Sequence, residues 1–301
     1  MKILVLGSWQ NLHTSADQSA LASVWAKAID QGIRHFDTAD SYEDGIAEIL
    51  LADLLQGLPR TSYQLSSKCF FATSAAPLGG LSVAHVKPAL EGTLKRLQTD
   101  YLDVYFAHRD DQSLSVEQIA ETFNECITEG SIRHWGICRW APERVAALMD
   151  FCQQTGLQPP VAQQFHYHLF NRDAEQESFP LYSRFGLPTW VYSPLAQGVL
   201  TGKYHDGIPH LARAGMEHAK ASMWEFHPEK IARVRAWAEW LQHRGLTPVQ
   251  AAMAFCLSRP EVSHVLIGAT QVQQLEEILS AANIDWQQEI VEVFDAMSTY
   301  H

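Results

Sequence analysis

Three short segments bring a carboxylate, a phenol, an ammonium and an imidazole to the ends of strand-like runs. They are FDTADSY with Asp37 and Tyr42, SSKCF with Lys68, and DVYFAH with His108. These groups together suit proton transfer to a carbonyl oxygen. A tyrosine titrates near pH ~10, so its use as an acid near neutrality calls for a cationic neighbour. Lys68 would supply that charge, Asp37 would hold the lysine, and His108 would aim the carbonyl. Taken singly, Asp37 reads as well as a helix-cap carboxylate and Tyr42 as a surface-loop residue. Asp40 reads as a turn or cap residue, and Glu43 with Asp44 as a solvated turn before Gly45.

Composition narrows the setting. The 301 residues carry a formal net charge of −12, which argues against a nucleic-acid partner. No run of ~18 apolar residues marks a membrane span. The N-terminus MKILVLGSWQ lacks a long apolar leader and a small-residue cleavage site, so it reads as a first strand. Five scattered cysteines, none in CxxC, fit neither a disulfide framework nor structural zinc, and point to a reducing cytoplasm. His166 and His168 would share one strand face, a possible ligand geometry. No third ligand at a recognisable spacing accompanies them, so no metal is expected.

Strand-like runs and helical stripes alternate from end to end. ILVL (3–6), HFD (35–37), QLSSK (64–68), LDVYFAH (102–108), HWGIC (134–138), VAQQF (161–165), TWVYS (189–193) and HVLIG (264–268) are each followed by helical periodicity. A helix is expected near 174–185, and Pro88 would be a defect in the third helix unless it falls in the first turn. Eight such units without a change in composition indicate a single domain over 1–301. The expected fold is one (β/α)8 barrel with an N-terminal strand, a long loop at 197–226 after strand 7, and a C-terminal helix. An open doubly wound sheet would want GxGxxG after its first strand, and LGSWQN does not supply it. In a barrel, Asp37, Lys68, His108, Cys138, Gln164, Tyr192 and Gly268 all fall at the C-terminal ends of strands, where catalytic loops converge.

FDTADSYEDGIAE, SSKCF, TDYLDVYFAH, GSIRHWGICRW, QQFHYHLFNR, YSPLAQGVLTGKY and LIGATQVQQLEE, in this order and over the whole chain, resemble the aldo-keto reductases. The RW after GIC, the GIPHLARA segment and the GATQVQQL ending most resemble the branch containing the voltage-gated potassium channel β subunits and their bacterial relatives. The resemblance implies an oxidoreductase that binds a nicotinamide dinucleotide, usually NADP(H), across the barrel mouth and passes hydride to a carbonyl. It assigns Tyr42 as the acid, Lys68 as its partner, Asp37 as the carboxylate and His108 as the carbonyl-orienting imidazole.

It likewise implies cofactor contacts. Gln164 would bind the nicotinamide carboxamide, with Cys138 where a serine is usual and Arg139 beside it, and Trp9 would flank the site. Tyr192 would stack on the nicotinamide. Ser193, Pro194, Leu195, Ala196 and Gln197 would underlie the pyrophosphate, Lys203 and Arg213 would close over the phosphates, and Gly268, Thr270, Gln274 and Glu277 would meet the adenosine. Cys138 reads equally as a buried strand cysteine. Gln274 stands where many members place an arginine for the 2′-phosphate, Ile278 where an asparagine contacts adenine, and Leu211 where a tyrosine is found. NADP(H) is the expected cofactor, with NAD(H) possible.

Trp9, Phe70, Phe71 and Trp140 lie just past strand ends and are candidate walls of the substrate pocket. The chain stops at His301 soon after the last helix, so an open pocket is expected. The expected partner is a small carbonyl compound, with oligomerisation possible. The reading is reduction of aldehydes or small ketones. The alternative is a cofactor-binding regulatory or redox-sensing subunit with weak residual activity, against which stands His108 where the channel subunits have asparagine. A Schiff-base aldolase using Lys68 needs a neutral lysine, which Asp37 and Tyr42 oppose.

Overall fold

Strand residues alternate between two faces, and this alternation separates two apolar populations in the computed structural model. The model describes residues 2–9, 18–210, 212–216, 223–284 and 287–297. Val5, Val104, Phe106, Cys138, Ala162, Trp190 and Leu266 form one cluster, the filling of a barrel. The larger cluster, with Trp25, Phe36, Tyr105, Phe123, Trp135, Tyr167 and Trp237, lies between the strands and their surrounding helices.

In chain order the elements are β1 (Ile3–Gly7), α1 (Gln18–Asp30), β2 (His35–Asp37), α2 (Ile46–Leu55), β3 (Gln64–Cys69) and α3 (Val83–Arg96). There follow β4 (Leu102–Ala107), α4 (Val116–Thr128), β5 (Ile132–Cys138), α5 (Pro142–Thr155), β6 (Gln163–His166) and α6 (Ser178–Phe185). The last are β7 (Thr189–Tyr192), α7 (Pro228–Gln242), α8 (Pro248–Ser258), β8 (Val262–Ile267), α9 (Val272–Ser280) and α10 (Glu289–Ala296). All eight strands pair in parallel and in sequence order, and β8 closes the barrel on β1 with Leu6 opposite Ile267. This is the expected (β/α)8 barrel with its N-terminal strand and C-terminal helix.

Local chemistry sets the helix boundaries. α4 and α8 open with reciprocal capping boxes, Ser115 with Gln118 and Thr247 with Gln250. Pro142, Pro228 and Pro248 start their helices, where a missing N–H costs nothing. Two expectations shift. The helix expected from 174 begins at Ser178, after a 3₁₀ turn at Asp173–Glu175. Pro180 accounts for this, because its ring would clash with a helical carbonyl four residues earlier. Pro88 is the sixth residue of α3, beyond the first turn. The helix continues through it at the loss of one N–H donor.

β7 and β8 are joined by two helices, and Trp237 of α7, wholly buried, donates its indole N–H to the Ile290 carbonyl of α10 at 3.3 Å. Among the described residues no helix is long and apolar enough to cross a membrane.

Candidate active site

The parallel register places the chemistry at one barrel mouth. Asp37 ends β2 opposite Ser66, Lys68 pairs with Phe106 on β4, and His108 follows the last residue of β4. Lys68 is fully buried, a state a lysine tolerates only when paired. Its Nζ donates to Asp37 Oδ2 at 2.5 Å, to the Thr38 carbonyl at 2.6 Å and to the Tyr42 hydroxyl at 3.1 Å. Ser66 Oγ donates to the other Asp37 oxygen at 2.7 Å, and the Gln164 amide approaches that oxygen at 3.4 Å. The Tyr42 and His108 rings meet edge to face, 5.8 Å between centres. The structure therefore brings Asp37, Tyr42, Lys68 and His108 together.

Burial opposes the charge of Lys68, but Asp37 and Tyr42 outweigh it and hold the ammonium above its ordinary pKa. For Tyr42 the balance goes the other way. Burial raises the phenol and Asp37 adds to it, while Lys68 pulls it down, and the outcome is about 12. The lysine alone would lower the phenol, as the residue types suggest, and burial reverses that sign. Tyr42 nonetheless keeps part of its surface open at the barrel mouth. His108 is held well below its usual pKa by burial, then by Lys68, Arg109 and Arg139, so its imidazole is neutral. Its Nδ1 is buried without a partner among the described residues.

The residues marked for the cofactor line the same mouth. Cys138 pairs in register with Gln164, and both are buried. Burial pushes the Cys138 thiol to about 12, so it is a neutral wall. Arg139 is exposed, and its charge beside Tyr192 opposes the rise that burial gives that phenol. Backbone at Arg139, Ser193, Ala196 and Gln197 lies in the left-handed region, with φ of 56°, 59°, 48° and 53°. Side chains held there cost energy and cluster at ligand sites. Pro194 is buried and Leu195 half-buried within this turn, which continues as a 3₁₀ helix over Ala196–Thr201.

Gln197 is buried, and its Oε1 has no partner among the described residues. Lys203 lies over Gly198, where a Cβ would come within 2.8 Å of the lysine Nζ. Burial and then Arg213 lower Lys203 to about 8, although much of its side chain is exposed. The Arg213 guanidinium lies over the Trp9 ring, 5.2 Å from its centre, so the first and seventh loops meet. Two adjacent cations and a strained turn together fit a dinucleotide phosphate chain, while the Gln197 amide oxygen, an acceptor, suits a hydroxyl or N–H of the same ligand. At the far end the Gln274 oxygen accepts from the Thr270 N–H at 2.9 Å and its hydroxyl at 3.2 Å, just beyond Gly268. Glu277 is half-buried on α9. Ile278 is turned into the core, because the α9 stripe buries that face, so it does not present itself as a replacement for an adenine contact. Leu211 lies outside the described residues.

Phe71 is 39% exposed and packs its ring against His108 at 5.3 Å. Phe70 stands edge-on to Phe71 and is half-buried against the core. Trp140 differs from expectation: it is buried in the core cluster, with the Arg144 guanidinium over its ring. The turn into α5 carries it inward. Asp40 lies in a turn, as expected, and is wholly buried there. Burial and Glu48 push its carboxyl to about 7, against Arg96, the Ser41 backbone and Lys68. Glu43 and Asp44 do form a turn before Gly45, and Asp44 accepts from Ser74.

Two residues at the mouth escaped the sequence reading. Trp224, 42% exposed, sets its ring against His166 at 5.1 Å and lies under the Arg139 guanidinium at 5.9 Å. Glu225 faces His168 at 3.9 Å. Both come from the end of the long loop, whose sequence carries no periodicity that could have marked them.

A parallel eight-stranded barrel with a buried lysine joining a carboxylate to a tyrosine at its C-terminal mouth defines a class of barrel oxidoreductases. The model of the Aldo/keto reductase family matches residues 3–299, and the chain belongs to that family. Membership carries the general activity, nicotinamide-dependent reduction of carbonyl compounds.

Proposed function

We propose that the protein reduces aldehydes or small ketones to alcohols with NADPH, Tyr42 donating the proton. The observation that carries this reading is the contact of Lys68 Nζ with both Asp37 and Tyr42, at 2.5 and 3.1 Å, beside a neutral His108. A carbonyl oxygen held between Tyr42 and His108 would accept two hydrogen bonds, which strengthen as negative charge develops on it. Tyr42 then gives up its proton, and the buried ammonium of Lys68 stabilises the phenolate left behind. Asp37 keeps that ammonium in place. Phe71 and Trp9 offer apolar walls to the rest of the substrate.

The cofactor, when bound, supplies the hydride. Tyr192, Gln164 and Cys138 would hold its nicotinamide end, Ser193 to Gln197 with Lys203 and Arg213 its phosphates, and Thr270, Gln274 and Glu277 its adenosine. Lys68 is kept charged, so it does not serve as a Schiff-base nucleophile.

The deciding experiment follows NADPH absorbance with 4-nitrobenzaldehyde, beside NADH and a Tyr42→Phe control. Turnover abolished by the substitution is the expected result. Tight NADPH binding without turnover would replace the reductase with a cofactor-binding regulatory subunit.

A further inference from the structure

His166 and His168 of QQFHYHLF are not used by the chemistry above, and the fold surrounds them with partners from three separate segments. His168 and Asn171 form an isolated antiparallel bridge, a tight turn that aims the Phe170 N–H at His168 Nδ1, 3.1 Å away. Nδ1 is therefore an acceptor, and the proton of the neutral ring sits on Nε2. That N–H points at His166 Nε2, 2.9 Å away. His166 Nε2 is then the acceptor, and the Gln197 amide reaches it too, at 3.2 Å. The proton of His166 falls on Nδ1; the Asn171 side-chain nitrogen 3.4 Å away is itself a donor and makes no hydrogen bond to that N–H. On its face, His166 stacks against Tyr192, with ring centres 5.4 Å apart and planes 28° from parallel. On its edge it carries Trp224.

Glu225 completes a cluster of two imidazoles and a carboxylate whose ligand atoms lie within 4.8 Å of one another. That spacing would admit a metal ion, but the hydrogen bonds oppose one. The neutral His168 presents an N–H to the cluster, since its lone pair is on the Nδ1 turned to Phe170. Lys230 also pairs with the other Glu225 oxygen. A ligating histidine ordinarily donates from its outer nitrogen, and here that nitrogen accepts.

We propose that His166 is a positioning residue for the cofactor, seating the Tyr192 ring and the Gln197 amide as one unit whose tautomer is set by His168. This rests on the proposed function, in which Tyr192 and Gln197 meet the dinucleotide. Gln197 is held by its nitrogen and so keeps its buried oxygen directed away from His166, available to a donor. Burial, with Arg139 and Lys230 nearby, lowers His166 to about 4, so it stays an acceptor at neutral pH. Glu225 and Trp224 tie the end of the long loop to the same unit.

The test compares NADPH affinity, by cofactor fluorescence, in the wild-type protein and in His166→Ala, His166→Gln and Gln197→Met. His166→Ala should raise the Kd roughly tenfold, the factor a lost hydrogen bond of ordinary strength carries. The single-turnover rate at saturating NADPH should be unchanged, and His166→Gln, which keeps an acceptor, should recover most of the affinity. Gln197→Met removes the held amide without opening a cavity in β6, so it should repeat the loss even if His166→Ala does not fold. A wild-type Kd in a folded His166→Ala or in Gln197→Met overturns the proposal, as does a fall in rate with Kd unchanged. Stoichiometric Zn(II) binding by calorimetry, lost in His168→Ala, would overturn it in favour of a metal site. Wild-type protein that fails to bind NADPH overturns the reductase reading itself, whereas wild-type turnover with unaffected variants overturns the positioning role alone.

Discussion

The Lys68 ammonium stands 3.1 Å from the Tyr42 hydroxyl, yet the phenol's pKa is pushed up to about 12. Burial of the ring outweighs the lysine, and Asp37 spends part of the lysine's charge. The pair therefore keeps the proton on oxygen until a substrate oxygen becomes basic enough to take it. The lysine's main effect falls on the phenolate that results.

Removing the hydroxyl isolates that step. Tyr42→Phe should lower kcat by ~10²–10⁴, the usual contribution of a general acid, and leave NADPH affinity nearly intact. Steady-state turnover beside cofactor fluorescence titration measures both. Full turnover in the variant would show that another group is the acid.

The raised phenol also fixes the direction of the pH response. Carbonyl reduction uses the protonated form, which persists throughout pH 6–9 when the pKa is about 12, so its kcat should be flat there. Alcohol oxidation needs the phenolate, whose fraction should rise ~tenfold per pH unit below the pKa. Parallel pH profiles in the two directions check this. An oxidation rate that levels off near neutrality would mean the phenol is lowered instead.

Lys68→Met leaves Asp37 buried without its cation. Breaking a buried pair in this way costs roughly 3–5 kcal/mol, so the variant should lose activity and melt at clearly lower temperature. Lys68→Met with Asp37→Asn should recover stability but not turnover. Thermal melts of the single and double variants separate the two effects.

Gly136 of β5 tests the barrel filling away from the chemistry. A Cβ there would lie 2.4 Å from Phe106 Cε1 and 3.1 Å from the Ala162 carbonyl. Gly136→Ala should destabilise the protein by about 1–3 kcal/mol through overpacking, read by urea unfolding. An unchanged midpoint would mean that the Phe106 ring can step aside without cost.

Acid stability follows from buried histidines. His166 and His264 are lowered to about 4 from an ordinary 6.5, chiefly by burial. Between those values the unfolded chain binds more protons than the folded one, so their contribution is full above pH 6.5 and is lost as pH falls toward 4. Urea midpoints at pH 7 and pH 5 should differ accordingly, with the lower pH less stable. Replacing both histidines with glutamine should reduce the difference, with His108 and His168, lowered the same way by burial, keeping the remainder.

The residue pattern alone determined the barrel and the location of Asp37, Tyr42, Lys68 and His108 at one mouth. Strand alternation, helical stripes and segment order are local properties that survive without coordinates, and strand ends of a parallel barrel share one face. Three matters needed the tertiary structure. The sign of the Tyr42 shift depends on how completely packing encloses the ring, which no neighbouring residue announces. The inward turn of Trp140 and the burial of Asp40 depend on what the α5 and β2 loops meet across the barrel. The seat beneath Tyr192 joins Gln197 and Glu225 to His166 and His168 across 31 and 57 residues, through a loop without periodicity. Such contacts come from chain closure in three dimensions, and spacing in one dimension does not encode them.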